Sequence, residues 1–183
     1  MTITPAPIVG LYTIDIEPIR DHRGFFARTW SSAALTNMGL SSVVSECSMS
    51  ANACKNTVRG LHFQSAPNAE VKVVRCTRGS IFDVVVDIRP ASPTFLKTFS
   101  LELSAENARA LYIPTGFAHG FQTLENQTEV TYFISTPYRA ESARTIRWDD
   151  PTLAIPWPSL DDAILSASDA NAARASEVLG ATP

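Results

Sequence analysis

The chain has 183 residues, of which 45% are hydrophobic and 18% are charged, and its formal net charge at pH 7 is −3. This length predicts one domain, residues 1–183, with enough apolar side chains for a buried core. The composition argues against a surface that binds nucleic acid or anionic lipid, and no apolar run is long enough to cross a membrane. No basic residue precedes the apolar positions of residues 1–10, so we expect no signal peptide.

The first third of the chain predicts short strands, turns and one helix. Residues 11–16 alternate and predict a strand, residues 21–24 are typical of a turn, and residues 25–30 predict a second strand. Ser31 or Ser32 is a suitable N-cap for a short helix that ends near Gly39. Residues 43–49 predict a further strand before an Asn-rich loop at 52–56.

The strongest strand pattern covers residues 71–89. Two apolar runs, 71–77 and 81–88, flank Arg78-Gly79, which predicts a hairpin turn between paired strands. Further strands are predicted at 94–103, 108–113, 118–124 and 129–136. Their spacing favours an all-β sandwich or barrel over βαβ units. A C-terminal helix is predicted at 170–179, with Asp169 before it and Gly180 after it.

The segment 59–64, Arg-Gly-Leu-His-Phe-Gln, carries the first candidate for chemistry. Strand alternation predicts that Leu61 and Phe63 face the core, so His62 points to the open face. An imidazole there, three residues from the guanidinium of Arg59, suits general-base catalysis on an anionic substrate. Taken alone, the segment favours a hydrogen-bonded surface histidine. A second segment of the same kind, residues 113–121 with His119, raises the weight of the functional interpretation.

Other polar residues on the predicted strands fit a phosphorylated ligand. Tyr132 suits a proton donor opposite a base, or a core residue with a satisfied hydroxyl, and Tyr138 suits a stacking platform. Asp169, judged by itself, fits a helix N-cap better than a catalytic group. Cations on three segments match what a pyrophosphate requires: Arg23, Arg59 and Lys72.

A metal site is the less favoured interpretation. His22 lies in a predicted turn, far in sequence from His62 and His119, and the chain has no His-x-His pair. The three cysteines, Cys47, Cys54 and Cys76, are odd in number and lack metal-type spacing. They indicate free thiols in a reducing compartment, the cytoplasm.

Several longer motifs occur together and in order: residues 59–64, 79–89 with 92–94, 103–104, Asn107, 113–124, 148–151 and 155–158. In these motifs the chain resembles the dTDP-4-dehydrorhamnose 3,5-epimerase family, from about Arg23 to Asp169. The resemblance implies a cupin-type double-stranded β-helix (jelly roll) with short flanking helices and a C-terminal helix. It also implies a homodimer with exchanged N-terminal segments, no cofactor and no metal. The implied reaction inverts C3, C5 or both in a nucleotide-linked 4-keto-6-deoxy sugar.

Residue by residue, the resemblance implies roles for the candidates above. His62 matches the family's base, and Asp169 matches the carboxylate that orients it. Tyr132 matches the acid, and Tyr138 the residue that stacks on the nucleotide base. Lys72 is implied as the partner of the oxygen that becomes negative. The groups around the phosphates and the sugar are Arg23, Arg59, Lys72 and His119.

The chain also departs from the family pattern. Arg28 and Ala143 stand where a Glu is usual, Ser168 stands where a Lys is usual, and residues 46–52 replace a Gln-x-Asn-x-Ser pattern. These differences predict a preserved reaction on a substrate with a different nucleotide part, such as a CDP- or GDP-linked sugar. Three alternatives stay open: a 3-epimerase, a 3,4-ketoisomerase or dehydratase, and a sugar-nucleotide-binding jelly roll without catalysis.

Overall fold

The computed structural model describes residues 1–180, which contain thirteen strands and three short helices. None of these helices is long and apolar enough to cross a membrane. The helices are α1 (Ser32–Asn37), α2 (Ala167–Ala170) and α3 (Ala175–Leu179). The strands are β1 (Thr2–Pro5), β2 (Tyr12–Asp15), β3 (Ile19–Asp21), β4 (Gly24–Phe26), β5 (Glu46–Asn52), β6 (Val58–Gln64), β7 (Lys72–Arg78), β8 (Ser80–Asp87), β9 (Thr98–Ser104), β10 (Ala110–Ile113), β11 (Phe117–Thr123), β12 (Thr128–Ile134) and β13 (Ala143–Thr145).

Two antiparallel sheets form the body of the molecule. The six-stranded sheet has the order β1-β2-β10-β7-β12-β5, and the five-stranded sheet has the order β13-β6-β11-β8-β9. Strands β3 and β4 form a separate hairpin. Because the chain passes repeatedly from one sheet to the other, the fold is a jelly roll, as the resemblance implies.

The main core lies between the two sheets. It joins Val74 and Leu111 of the six-stranded sheet to Val85 and Phe121 of the five-stranded sheet, and all four are at most 1% exposed. Burying each such side chain stabilises the fold by roughly 1.5–3 kcal/mol. Alternate side chains of each strand therefore point into this core.

Each sheet is also covered on its outer face. Trp148 and Trp157 pack over the five-stranded sheet, and the indole N–H of Trp157 donates to the carbonyl of Trp148 at 2.8 Å. Leu35 of α1 packs over the six-stranded sheet. The predicted cap of α1 is confirmed, because Ser31 Oγ accepts a hydrogen bond from the amide of Ala34 at 3.3 Å.

The predicted hairpin at Arg78-Gly79 is wrong. Strand β7 pairs with β10 and β12 in one sheet, whereas β8 pairs with β11 and β9 in the other. Gly79 is instead the corner between the two sheets, with φ of 72°. A Cβ at this position would lie 2.7 Å from Thr128 Oγ1, so the corner requires glycine.

The predicted C-terminal helix at 170–179 is also wrong as one element. Helices α2 and α3 are separated by an extended segment in which Ala173 forms a bridge with Ile146. The amide of Arg147 donates to the carbonyl of Ala173 at 2.8 Å, so backbone pairing replaces helical hydrogen bonds there. The N-cap of α2 is Ser166, which places Asp169 inside the first turn rather than at the cap.

Some strand bounds differ from the prediction. Strand β4 ends at Phe26, so the strand expected at 25–30 is shorter, and β5 starts at Glu46 rather than at 43. Strands β1 and β13 carry no clear alternation and were not predicted. Both lie at sheet edges, where their ladder partners rather than their own sequence specify them.

A bulge interrupts the pairing of β6 with β11. His62 pairs with His119, and Arg59 pairs with Phe121, so three residue steps on β6 match two on β11. The extra residue of β6 reverses the alternation of side chains between the two pairs. At the bulge the backbones approach closely, because a Cβ on Gly60 would lie 2.6 Å from the Cα of Gly120.

A carboxylate cluster fixes the end of β8. Asp87 accepts from Arg89 Nε at 2.8 Å, from Ser92 Oγ at 2.5 Å and from Thr94 Oγ1 at 2.6 Å. Burial by itself raises the pKa of Asp87, but these hydrogen bonds outweigh it and lower the pKa to about 2. Arg89 Nη2 also donates to the carbonyl of Val9 at 2.9 Å, which ties the N-terminal segment to this corner.

Candidate active site

A histidine–carboxylate pair lies at the mouth of the sandwich. His62 is on β6, and its Nε2 lies 2.7 Å from Asp169 Oδ1 in the first turn of α2. The His62 side chain is 45% exposed, whereas that of Asp169 is 5% exposed. Burial by itself raises the pKa of Asp169, but the hydrogen bond and charge of His62, with Ser166 and the Gly60 amide, lower it overall. An ionised carboxylate therefore accepts the Nε2–H and leaves Nδ1 free to take a proton.

The bulge in β6 brings a guanidinium to the same wall as His62. Simple alternation would place Arg59 and His62 on opposite faces, yet both line one inner cavity of about 200 Å³. Arg59 Nε donates to the amide oxygen of Asn52 at 2.8 Å. In residues 1–180 no carboxylate forms a salt bridge with Arg59, so its charge is available to an anionic ligand.

Lys72 lies at the start of β7 and is held from two sides. Its Nζ is 2.9 Å from Glu70 Oε1 and donates to the carbonyl of His62 at 3.4 Å. Gln64 Nε2 donates to Glu70 Oε2 at 2.9 Å, and Gln64 Oε1 accepts from the amide of Arg139 at 2.6 Å. The ammonium group therefore has a fixed position beside the backbone of the base.

A second histidine–carboxylate pair lies deeper. His119 Nε2 is 2.7 Å from Asp83 Oδ1, with side chains that are 5% and 0% exposed. Burial is the largest influence on Asp83 and raises its pKa, although the charges of His119 and Lys72 oppose this. Asp83 was not a candidate in the sequence. A carboxylate at an inward position of an apolar strand is the signal that points to it.

Tyr132 lies on the opposite wall from the two histidines. It is on β12 of the six-stranded sheet, packs against the main core and lines the inner cavity. Burial raises the pKa of Tyr132, and the negative charge of Asp83 raises it further. The phenol therefore keeps its proton at neutral pH and is suited to donate it to a strongly basic atom.

A wider cavity of about 600 Å³ opens outward from the inner one. Three residues line both cavities: His62, Lys72 and Ser48. The two cavities therefore adjoin each other beside His62. Tyr138 lies on the outer cavity and is 65% exposed, which presents its ring to a ligand. The outer walls also carry Glu46, Gln64, Arg144 and Ser168.

One predicted site residue is not brought to these cavities within the chain. Arg23 lies on the β3–β4 hairpin, where its Nη2 contacts Asp21 Oδ2 at 2.5 Å. Its side chain is 78% exposed and lines a separate groove with Phe25 and Phe26. The structure thus gathers His62, Lys72, His119, Tyr132, Asp169, Arg59 and Tyr138, but leaves Arg23 apart.

Several of the positions that depart from the family pattern lie on the outer cavity. Glu46, Ser48, Ala143 and Ser168 line it, whereas Arg28 lines a different cavity with Met1 and Glu17. Of the altered positions, only Ser48 also lines the inner cavity that holds the two histidines and Tyr132, among the described residues. Across the described residues, no three His, Cys, Asp or Glu side chains converge as a metal site would require.

Comparisons with known proteins identify the family of the chain. A sequence model of the family "dTDP-4-dehydrorhamnose 3,5-epimerase" matches residues 5–177. The chain is 46% identical to the dTDP-4-dehydrorhamnose 3,5-epimerase of Sinorhizobium fredii over 155 residues, which cover 82% of this chain and 77% of that protein. It is 39% identical to the enzyme of the same name from Salmonella typhimurium, with 94% of each chain covered.

A solved structure matches the fold as well. It is dTDP-6-deoxy-D-glucose-3,5-epimerase from Legionella pneumophila in complex with dTDP-4-keto-L-rhamnose. The TM-score is 0.91 at 34% identity, with 100% of this chain and 94% of that chain covered. Sequence and fold agree along almost the whole length, and the chain belongs to the dTDP-4-dehydrorhamnose 3,5-epimerase family.

Proposed function

We propose that this protein is an epimerase that inverts C3 and C5 of a nucleotide-linked 4-keto-6-deoxy sugar, of the dTDP-4-dehydro-6-deoxyglucose type. One observation carries the proposal. His62, backed by Asp169, and the protonated Tyr132 line the same cavity from opposite sheets. A base and an acid on opposite faces of a bound ring are what inversion at carbon requires.

The base is His62. The 4-keto group acidifies the hydrogens on C3 and C5, because the carbanion formed there is delocalised as an enolate. His62 Nδ1 takes the proton, and the carboxylate of Asp169 at 2.7 Å stabilises the resulting imidazolium. The exposed side of the His62 ring can then release the proton to solvent.

The negative charge of the enolate develops on the 4-oxygen, and Lys72 is its partner. A fixed cation stabilises the charge more in the transition state than in the ground state, which accelerates the proton removal. Glu70 and the carbonyl of His62 hold Lys72 Nζ in position, so little reorganisation is needed.

Tyr132 returns a proton from the other face. Its raised pKa keeps the phenol protonated until the strongly basic enolate carbon is formed. Because the new C–H bond forms on the face opposite to His62, the configuration at carbon inverts. The same pair acts at the second carbon after the sugar has shifted.

The outer cavity provides room for the nucleotide. Arg59, on the wall of the inner cavity, attracts the diphosphate, and the exposed ring of Tyr138 stacks on the nucleotide base. The whole of residues 1–183 is proposed to act as one domain. The proposed chemistry uses no cofactor and no metal, so a chelator should leave the activity unchanged.

Hydrogen exchange with solvent tests the proposed function. The enzyme is incubated in D₂O with dTDP-4-dehydro-6-deoxyglucose, and NMR follows deuterium and configuration at C3 and C5. Deuterium at both carbons with inversion supports the proposal, and deuterium at C3 alone would replace it by a 3-epimerase. Tight binding of the sugar nucleotide without hydrogen exchange would show that the protein binds this ligand but does not catalyse the reaction.

We also propose that the protein is a homodimer in which the β3–β4 hairpins are exchanged. The hairpin exposes Ile19 and Phe26 at 74% and 72%, and the edge strand β5 exposes Met49 at 63%. Apolar side chains of this size on an edge strand and a protruding hairpin are typical of an interface. The exchange would carry Arg23 to the partner's site, where it would join the cations around the diphosphate.

The oligomeric state of Phe26→Asp tests this. Ultracentrifugation should show a dimer for the native chain and a monomer for the variant, and the variant should also have a higher KM. Phe63→Asp is not a suitable comparison because Phe63 is partly buried. The control is Val9→Asp, because Val9 is 69% exposed and lies outside the β3–β4 hairpin. A native monomer with full activity would contradict the exchange.

The free thiols of Cys47, Cys54 and Cys76 support a reducing compartment, the cytoplasm, as the place of action.

A further inference from the structure

The proposed reaction assigns no proton transfer to the buried pair of Asp83 and His119. Asp83 is fully buried on β8, and only one of its two oxygens is occupied, by His119 Nε2 at 2.7 Å. Asp83 Oδ2 has no hydrogen-bond partner among residues 1–180. A buried carboxyl with an unsatisfied oxygen is costly to keep in a fold, which argues for a functional reason.

The pair lies beside the proposed acid. The rings of His119 and Tyr132 meet edge to face, with centroids 6.2 Å apart and an interplanar angle of 74°. Lys72 and Arg59 are the cations that line the cavity with them. The surroundings of His119 are thus one carboxyl, two cations and one phenol, all on the inner side of the site.

A double inversion needs the acid to be restored. Each inversion loads His62 with a proton and removes the proton of Tyr132. His62 is 45% exposed at the mouth and can release its proton, but a sugar in the inner cavity separates Tyr132 from the mouth. The second inversion therefore requires a proton source on the inner side.

We propose that the Asp83–His119 pair is this source and returns a proton to Tyr132 between the two inversions. Asp83 is the positioning residue that fixes the ring of His119. The inference rests on the proposed function. Doubly protonated His119 gives the proton of Nδ1, through a substrate hydroxyl or a water molecule, to the phenolate oxygen of Tyr132. Neutral His119 keeps its Nε2–H on Asp83.

The protons released and taken up balance in each inversion. One proton leaves the sugar carbon to His62 and then to solvent, and one enters from Tyr132. The Asp83–His119 pair refills Tyr132 and is itself refilled from solvent when the cavity opens. The raised pKa of Asp83 fits a pair that retains a shared proton in a dry site.

Asp83→Asn tests the inference, because the amide oxygen still accepts from His119 but the charge is lost. The two inversions are timed separately by NMR at C3 and C5. We expect the ratio of the second rate to the first to fall about 10- to 100-fold, so that the singly inverted sugar accumulates. The matched control is Asp87→Asn on the same strand, which should leave this ratio unchanged even though it weakens the fold.

The outcomes separate this inference from the proposed function. Native enzyme without any exchange would refute the proposed function itself. If the native enzyme exchanges hydrogens and Asp83→Asn has an unchanged ratio of the two rates, only the proposed role of Asp83 and His119 as the proton source of Tyr132 would be overturned. If Asp83→Asn does not fold, His119→Asn decides instead. It keeps an N–H for Asp83 but holds no transferable proton, so the same fall in the ratio is expected.

Discussion

His62 and His119 lie directly opposite each other on β6 and β11, and each has its Nε2 2.7 Å from a carboxylate oxygen. The two pairs differ in exposure, because the side chain of His62 is 45% exposed and that of His119 is 5% exposed. The same local chemistry therefore occurs once at the mouth of the cavity and once in its interior.

Replacement of the base should abolish exchange. In His62→Ala the rate of C–H deuteration at both carbons should fall by about 10²–10⁴-fold, the usual contribution of a general base. The His62 side chain is half exposed, so no large core cavity results. Circular dichroism and the Tm should show a folded protein. A variant that exchanges hydrogens at the native rate would remove His62 from the reaction.

The acid should be separable from the base. In Tyr132→Phe the inverted product should decline more than deuterium incorporation, because His62 still removes and returns protons on its own face. NMR in D₂O measures both signals in one sample. Equal losses of incorporation and inversion would mean that Tyr132 serves only binding or structure.

The carboxylate at the end of β8 should control acid stability. The pKa of Asp87 in the folded protein is about 2, below its value in the unfolded chain. Its stabilisation is therefore complete above the unfolded pKa of about 4 and is lost as the pH falls towards 2. Asp87→Asn should reduce the free energy of unfolding at pH 7 by about 1–3 kcal/mol. Urea titrations between pH 2 and 7 should show a flatter pH dependence for this variant, and a parallel curve would contradict the assignment.

The outer cavity carries a negative charge at Glu46, close to the amide of Tyr138. A carboxylate there repels a diphosphate, so Glu46→Gln should lower KM by a few-fold, on the order of 1 kcal/mol, at unchanged kcat. Exposed Glu141→Gln is the matched control. The substrates for the test are dTDP-, UDP-, CDP- and GDP-linked 4-keto sugars. A lower KM for only one of them would indicate that Glu46 contacts the base edge rather than the phosphates.

The same set of four nucleotide-linked sugars also tests the expected change in nucleotide specificity. The changed positions at Glu46, Ser48, Ala143 and Ser168 line the outer cavity, where the base would stack on Tyr138. We expect weak discrimination among the four nucleotides, because Ala143 offers no side-chain hydrogen bond to a base edge. A strong preference in kcat/KM for the dTDP-linked sugar would contradict this.

The sequence predicts the inner strands well because strands buried on both faces appear as apolar runs bounded by turn residues. Strands β8, β11 and β12 follow their apolar patterns to within two residues at each end. The hairpin at Gly79 fails because a glycine after an apolar run is equally compatible with a turn and with a corner between sheets. Which of the two forms depends on partners far away in the chain.

Long-range pairs explain the rest of the site. Asp169 is 107 residues from His62, and its local sequence indicates only a helix start. The family resemblance, not the pattern, predicts its role. Asp83 has no turn or cap signal at all, and only the pairing of β8 with β11 places it beside His119. Sequence spacing carries no information about such contacts until the sheet register is known.

The bulge at Gly60 makes the number of residues between Arg59 and His62 as important as their identities. Two residues that lie an odd number of positions apart share one wall only because β6 takes one step more than β11. An insertion of one residue beside Leu61, with the bulge retained, would turn the guanidinium of Arg59 to the face opposite His62, although every candidate site residue would still be encoded. The segment therefore tolerates substitution at its apolar positions more readily than any change in length.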